Sequence, residues 1–486
     1  MRVLLVNPPR IHPKSWGKPS IFQPIDVAYV AAVLEEEHEV QVLDAAGEGW
    51  TRIEDIDEAR CRVGLSDEEI AHRIKSLSPD LVGINVPFSG WSRMAYQVAS
   101  IVKKVGQDII TVLDGIHPSA KPLDCLRNPN VDYVVIGEAE YTWLELARQI
   151  ERGGSPEALK KVLGIGFKHG EDVTITGPRP LIRNLDDLPF PARHLLPMKL
   201  YFEAVRESPM RGEVNKPWTV VISSRGCPYE CIFCTSHLVR GRIWRGRSPE
   251  NVVGELELLV EKYGIKQIDF HDDNMTFNKR RVEKICDLII ERNLDIEWFL
   301  PNGVRADTLD ESLLKKMRKA GCRRVYIAPE SGVQRIVNYV IKKNLDLKKV
   351  EEAVALCKKI GIKVACFFVI GLIGETKEDI EASIKFAHKL KKLGADKFYF
   401  SYAMPLYGTE LYEKAREMGL LPEDFSDEAL SAVQPLILSP HFTVEELKEL
   451  CKKAYKINQK ISIEKLKKAL KNPISTVKAL IQILKT

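Results

Sequence analysis

The sequence predicts two α/β units in series: a doubly wound parallel sheet (Rossmann-like), then a partial (β/α)6 TIM-like barrel, with a helical segment at the C-terminal end. Three observations predict it. Through the first 153 residues short apolar runs alternate strictly with helix-period stretches, the pattern of a parallel sheet with helices on both faces. A proline- and glycine-rich stretch then breaks the rhythm. From Trp218 the alternation resumes for about six β–α units over roughly 200 residues, enough for an incomplete barrel. The predicted organisation is 1–153, a connecting segment 154–216, a barrel 217–420 and a helical region 421–486.

In the first unit the expected strands are Val3–Val6, Val40–Leu43, Leu81–Val86, Ile109–Leu113 and Tyr133–Ile136. Helical periodicity covers Ile25–Glu37, Asp67–Ser76, Arg93–Val105 and Glu140–Arg152. Ligands of such sheets sit beyond the carboxyl ends of the strands. The connecting segment carries a candidate hairpin, Ile165–Phe167 with Val173–Ile175, and keeps apolar residues throughout, so it is expected to pack. The barrel strands are expected at Thr219–Ser223, Gln267–His271, Trp298–Pro301, Arg324–Ala328, Lys363–Ile370 and Lys397–Tyr402. Between them lie the helical stretches Pro249–Tyr263, Lys279–Arg292, Glu311–Ala320, Leu347–Ile360 and Lys377–Lys392. Barrels of this kind place their chemistry at the C-terminal ends of the strands.

Composition narrows the function classes. With 45% hydrophobic and 29% charged residues, the chain is neither collagenous nor disordered. The net charge, 72 − 67 = +5, is too small over 486 residues to argue for nucleic acid by itself. The start, MRVLLVNPPR, lacks a signal peptide's long apolar core and cleavage site. The longest apolar run, Val364 to Gly374, is far short of the roughly 20 residues that span a bilayer. The expectation is a soluble cytoplasmic protein whose ten cysteines are reduced thiols or metal ligands.

Three of those cysteines crowd into one loop directly after the first barrel strand: Cys227, Cys231 and Cys234, spaced C-x3-C-x2-C. Three thiolates this close suit three irons of a 4Fe–4S cube and leave the fourth iron without a protein ligand. A structural zinc site is the alternative, with His237 as the fourth ligand. The other seven, Cys61, Cys125, Cys286, Cys322, Cys357, Cys366 and Cys451, are scattered, mostly in apolar stretches, and read as core thiols.

The loop, with Phe233 as its aromatic residue, resembles the radical S-adenosylmethionine (radical SAM) superfamily, and further motifs follow in order at the strand ends. Phe270-His271-Asp272-Asp273-Asn274 closes the second strand, where the resemblance implies contact with the methionine amino group. Gly303-Val304-Arg305-Ala306-Asp307 follows the third. Pro329-Glu330-Ser331-Gly332 follows the fourth, where a Glu–Ser pair approaches ribose and carboxylate. Gly371-Leu372-Ile373-Gly374-Glu375-Thr376 closes the fifth, against adenine, and Pro405-Leu406-Tyr407-Gly408-Thr409 follows the sixth. SAM carries an amine, a carboxylate and two hydroxyls. Asp272, Asp273 and Glu330 would supply acceptors, Arg305 a cation, and Gly371 and Gly374 close backbone approach. Singly, each motif also reads as a turn or a helix cap.

A doubly wound domain ahead of such a barrel resembles the cobalamin-dependent radical SAM class. The matching pieces are Asn7-Pro8-Pro9, Asp114-Gly115-Ile116-His117-Pro118-Ser119 and Gly137-Glu138-Ala139-Glu140, each at a strand's carboxyl end. Pro8, Ser89, Gly90, Gly115, His117, Pro118, Gly137 and Glu138 are the implied cobalamin contacts, with Gly83, Ser89, Gly90 and Gly115 small enough to admit the nucleotide tail. Where many cobalamin proteins carry Asp-x-His-x-x-Gly, this chain has Asp44-Ala45-Ala46-Gly47-Glu48-Gly49, so no histidine of that loop ligates cobalt. His117 could replace it, though a histidine in a Gly-x-His-Pro turn more often bonds backbone or a polar cofactor edge. Trp91, Tyr29 and Tyr133 read as core packing ahead of the alternative, corrin contacts.

From Lys452 to Thr486 there are ten lysines, no arginine and one acid, Glu464, with apolar residues at helical spacing. This is either a solvated helix face on the barrel or a basic amphipathic helix on an anionic membrane. The resemblance implies three cofactors (a 4Fe–4S cluster, SAM and cobalamin) and a 5′-deoxyadenosyl radical that removes hydrogen from an unactivated carbon, which then takes a methyl group from methylcobalamin. Radical cyclisation without methyl transfer, a vestigial first domain, or a non-enzymatic cobalamin-dependent sensor, which the full set of SAM motifs disfavours, are the alternatives. Implied partners are a small-molecule substrate, with a lipid among the candidates, and an electron donor such as ferredoxin or flavodoxin, with no nucleic acid.

Overall fold

The computed structural model describes residues 1–170, 172–207 and 216–459. Among the described residues the N-terminal half contains ten strands: β1 Arg2–Asn7, β2 Arg10–Pro13, β3 Glu39–Asp44, β4 Ile53–Asp55, β5 Arg60–Val63, β6 Leu81–Asn85, β7 Ile110–Asp114, β8 Tyr133–Val135, β9 Ile165–His169 and β10 Asp172–Ile175. Seven of them form one sheet in the order β10-β9-β8-β7-β6-β1-β3. From β3 to β8 every pairing is parallel, and the strands are buried apolar runs because helices cover both faces. The order reverses between β3-β1 on one side and β6-β7-β8 on the other, which opens a crevice beyond the ends of β1 and β6.

The hairpin β9–β10 extends this sheet, pairing antiparallel with β8 through Tyr133↔Phe167. Ile182, Leu185, Leu188 and Ala192 also pack into the first core, so the connecting segment is seated. A small antiparallel sheet, β2-β5-β4, has no counterpart among the expected strands. Its strands are three or four residues long, too short for a period to show.

The second half adds β11 Trp218–Val221, β12 Ser224–Arg225, β13 Arg245–Gly246, β14 Gln267–Phe270, β15 Glu297–Val304, β16 Cys322–Glu330, β17 Lys363–Ile370 and β18 Lys397–Tyr402. Six of these form a parallel sheet in chain order, β11-β14-β15-β16-β17-β18, and no pairing of β11 with β18 closes it among the described residues. Side chains that alternate outward, such as Ile268, Trp298, Leu300, Val325 and Phe368, bury against the helices. The helices start where the sequence offers caps: Ser248 Oγ accepts from Asn251 N ahead of Pro249, and Thr376 with Asp379 forms a capping box. Helix Val444–Tyr455 packs Leu447, Cys451 and Ala454 onto the barrel. The rest of the lysine-rich stretch, residues 460–486, lies outside the described residues. No helix among the described residues is long and apolar enough to cross a membrane.

Candidate active site

Cys227, Cys231 and Cys234 follow the turn from β12 and are half-buried, whereas the seven other cysteines are buried. The loop is held by backbone bonds that use no sulfur: Ile232 N to Ile341 O (3.1 Å), Leu411 N to Ile232 O (2.9 Å) and Cys234 N to Cys231 O (3.0 Å). Burial pushes the Cys234 thiol up to about 11 and raises the other two. A metal bound here would have to displace the protons. Among the described residues no three His, Cys, Asp or Glu side chains close around a single ion. A cubane asks less of the loop, since each thiolate takes its own iron. His237, the candidate zinc ligand, has Nδ1 2.9 Å from the Cys234 carbonyl and a further bond to the Gly408 backbone.

Between this loop and the first sheet lies a cavity of about 430 Å³. Asn85, Asp114, Gly115, Gly137 and Glu138 line it from the ends of β6, β7 and β8. Phe233, Cys234, Asp273 and Asn302 line it from the barrel. The mouths of the two sheets thus face one space, as a cofactor shared between them requires. Gly115 adopts φ +107°, and a Cβ there would lie 2.8 Å from the Val86 carbonyl, so only glycine lets the backbone turn here. Asp114 beneath it accepts from Asn85 Nδ2 and Trp143 Nε1, both at 2.7 Å, and burial pushes its carboxyl up to about 6.

A B12 binding domain model matches residues 19–147, and a radical SAM superfamily model matches residues 221–387. The chain is 36% identical over 456 residues to an uncharacterized methyltransferase of Pyrococcus horikoshii, covering 94% of this chain and 92% of that protein. It belongs to the cobalamin-dependent radical SAM methyltransferases. It is also 30% identical to cytidylyl-2-hydroxyethylphosphonate methyltransferase of Streptomyces wedmorensis, over 93% of this chain and 89% of that one. Anaerobic magnesium-protoporphyrin IX monomethyl ester cyclase of Rubrivivax gelatinosus is 28% identical, over 90% and 73%. The fold matches that of the radical S-adenosylmethionine methyltransferase TsrM of Kitasatospora setae, solved with cobalamin and a 4Fe–4S cluster bound, with a TM-score of 0.67, 19% identity, and 86% and 75% coverage.

In this methyltransferase the residues marked for SAM divide into two groups. Asn274 is buried, and neither atom of its carboxamide has a hydrogen-bond partner, which suits a site that takes up SAM's amino and carboxylate groups. Gly374 faces open space. A Cβ on Gly371 would lie 2.6 Å from Leu447, which places the fifth-strand loop against the C-terminal helix. Asp273 borders the cavity, accepting from Gly226 N at 2.8 Å and from Ser236 Oγ. Like Asp273, the remaining polar residues hold protein partners, but they do not border the cavity. Asp272 accepts from Ser223 N (2.8 Å) and from the hydroxyls of Ser223 and Ser224, tying the loop stem down. Arg305 lies over the Tyr229 ring at 3.7 Å and donates to the Lys343 and Asn344 carbonyls. Ser331 Oγ sits 3.0 Å from Ser383 Oγ.

Glu330 has a partner that no motif marks. Its carboxylate accepts from buried Lys343 Nζ at 2.8 Å, and its own backbone sits at φ +66°. Lys342 and Asn344 are also left-handed, next to a π-turn over Ile336–Val340. Strained backbone of this kind concentrates where surroundings over-determine it. Here the 341–344 segment braces the cysteine loop, through Ile341 O and Arg305.

In the cobalamin half, Pro8 and Pro118 are buried, and Gly137 faces open space. A Cβ on Gly90 would meet the Leu430–Ser431 backbone at 2.8–3.0 Å. The turn Glu428–Ser431 is anchored to the first domain by Arg60 and Arg93 to Glu428, and the adjoining Asp427 accepts from Ser92. His117 is fully buried, with Nδ1 3.0 Å from Ser89 Oγ and Nε2 3.1 Å from Tyr96 Oη. Desolvation pushes it down to about 4, so it is neutral near pH 7. In the position of a cobalt-ligating histidine stands buried Ala46, while Asp44 keeps its turn by accepting from Gly47 N (2.9 Å) and Tyr201 Oη (2.6 Å). Cobalamin bound to His117→Ala protein is expected to give the same cob(II)alamin EPR spectrum as the native enzyme. Loss of a nitrogen splitting in the variant would make His117 a ligand after all.

Proposed function

We propose that this chain methylates an unactivated carbon of a largely apolar small molecule held between the two sheets. One observation carries the proposal: the cavity has the strand ends of the cobalamin domain on one wall and Cys234 with Asp273 on the other. When bound, the cluster with SAM supplies one-electron carbon chemistry and cobalamin supplies a methyl group. The chain's own residues bind and shield. Cys227, Cys231 and Cys234 would hold the cluster, Asn274 and Asp273 the polar end of SAM, and Gly115 and Gly137 the corrin side. Ile25, Ile116, Ile222, Phe233 and Val239 keep water from the cavity, whose polar lining includes Asp26 and Arg240, bonded to each other at 3.1 Å.

The substrate class proposed is a lipid or a tetrapyrrole. An electron donor of the ferredoxin or flavodoxin type, an oxygen-sheltered cytoplasm, and peripheral contact with an anionic membrane through the lysine-rich 452–486 stretch belong to the same proposal. The cyclase relatives favour one second reading, ring closure by the same cofactors without methyl transfer. Anaerobically reconstituted protein with hydroxocobalamin, reductant, SAM and a lipid extract of the source organism separates the two. Formation of both 5′-deoxyadenosine and cobalamin-dependent S-adenosylhomocysteine is the expected result; 5′-deoxyadenosine alone would favour the cyclase.

A further inference from the structure

We infer that the buried ion network Glu138–Arg225–Glu140–Arg245 is the joint that sets the iron–sulfur loop in register with the cobalamin wall. Its two carboxylates are positioning residues, and this rests on the cofactor assignment above. Glu138 and Glu140 follow β8: Glu138 lies on the loop whose Gly137 borders the cavity, and Glu140 opens the helix Glu140–Glu151. Arg225 ends β12, two residues before Cys227, and Arg245 faces it across the two-stranded β12–β13 ribbon. Arg225 Nη2 donates to Glu140 Oε1 at 2.5 Å and Nη1 to Glu138 Oε1 at 3.3 Å. Arg245 Nη1 donates to both Glu138 oxygens at 2.8 and 3.0 Å and to the Ile182 carbonyl at 2.7 Å. The four side chains are between 3% and 7% exposed.

Four charges taken out of water gain little over well-packed apolar residues, because the desolvation cost consumes the attraction. What they add is direction. Each bond tolerates only small changes of distance and angle, so a shift between the domains stretches several bonds together. The same ribbon continues to the cluster loop, since Arg245 Nη2 donates to the Arg240 carbonyl and Gly226 N donates to Asp273. Arg240 in turn reaches Asp26 of the first domain at 3.1 Å. A substrate carbon that loses hydrogen on one side and gains methyl from the other requires the two cofactors at a fixed separation, since small misplacement is costly.

The test uses holoenzyme and needs no substrate. Pulsed EPR reads the dipolar coupling between cob(II)alamin and the reduced cluster in native protein, Glu138→Gln, Glu140→Gln, and the neutral pair Glu140→Gln with Arg225→Gln, which folds without an orphaned charge. Cobalt and iron content and Tm are measured alongside. Variants that load both cofactors at native stoichiometry but show a shifted and broadened coupling, with Glu138→Asp restoring it in part, are the expected result. A coupling as narrow as native in every loaded variant, with only Tm lowered, overturns the inference. So does loss of cobalamin from every variant, which makes Glu138 a direct ligand contact. Native protein that takes up no cobalamin would overturn the cofactor assignment instead.

Discussion

Replacing Cys231 by alanine is expected to abolish 5′-deoxyadenosine formation and to strip the chain of its iron, about four atoms per chain when loaded. The circular dichroism should not change. The loop keeps its shape without the sulfur, because its bonds to Ile341 and Leu411 run through the Ile232 backbone. What disappears is one of three thiolates, and two cannot hold the cube. Iron analysis and anaerobic SAM cleavage check it together; a Cys231→Ala protein that kept its iron and cleaved SAM would overturn the cluster assignment. Cys286 is the natural control. It is fully buried among the apolar residues of the helix Lys279–Glu291, so its alanine variant should lose about 1 kcal/mol of stability and retain iron and activity.

The largest expected loss of stability is at Glu255, in the helix Pro249–Tyr263 and wholly inaccessible to solvent. Its Oε1 accepts from Arg193 Nη1 at 2.6 Å and its Oε2 from Arg247 Nη1. The same guanidiniums brace β11 and the residue after it, Arg193 through the Val220 carbonyl (2.6 Å) and Arg247 through the Ile222 carbonyl (3.0 Å). Burial works against the charged carboxylate, yet the two arginines hold it below the usual glutamate range. Glu255→Gln keeps the shape and removes the charge, leaving two buried cations uncompensated, and should cost about 3–5 kcal/mol in urea unfolding. Because the folded carboxyl titrates below its unfolded value, this stability is present above the unfolded pKa. It is lost as pH falls through the lower folded one. The gap between native and variant should therefore close only in acid. An unchanged midpoint at neutral pH would refute the account.

Much of the candidate site is legible in the order of the residues. Cysteine spacing is local chemistry, and eight residues suffice to display it. The strands of both parallel sheets are legible for a related reason: burial on both faces forces continuous apolar runs, which stand out against amphipathic helices. The small sheet β2-β5-β4 is not, since short half-polar strands carry no period and β2 pairs with β5 across some 50 residues.

The sequence by itself determined the cofactor class, the order of the two α/β units and the three thiols, because each is written in contiguous residues. Only the tertiary structure decided what the polar residues at the strand ends touch. Asp272, Arg305 and Glu138 stand in motifs that suggest free cofactor contacts, yet their hydrogen-bonding capacity is taken up by Ser223, Lys343 and Arg245. Lys343, Arg225 and Glu255 carry no signal in the sequence at all. A buried charge must find its partner within a few ångströms, and that partner lies 85 residues away for Arg225 and Glu140, a nearness that exists only once the two sheets have closed on each other.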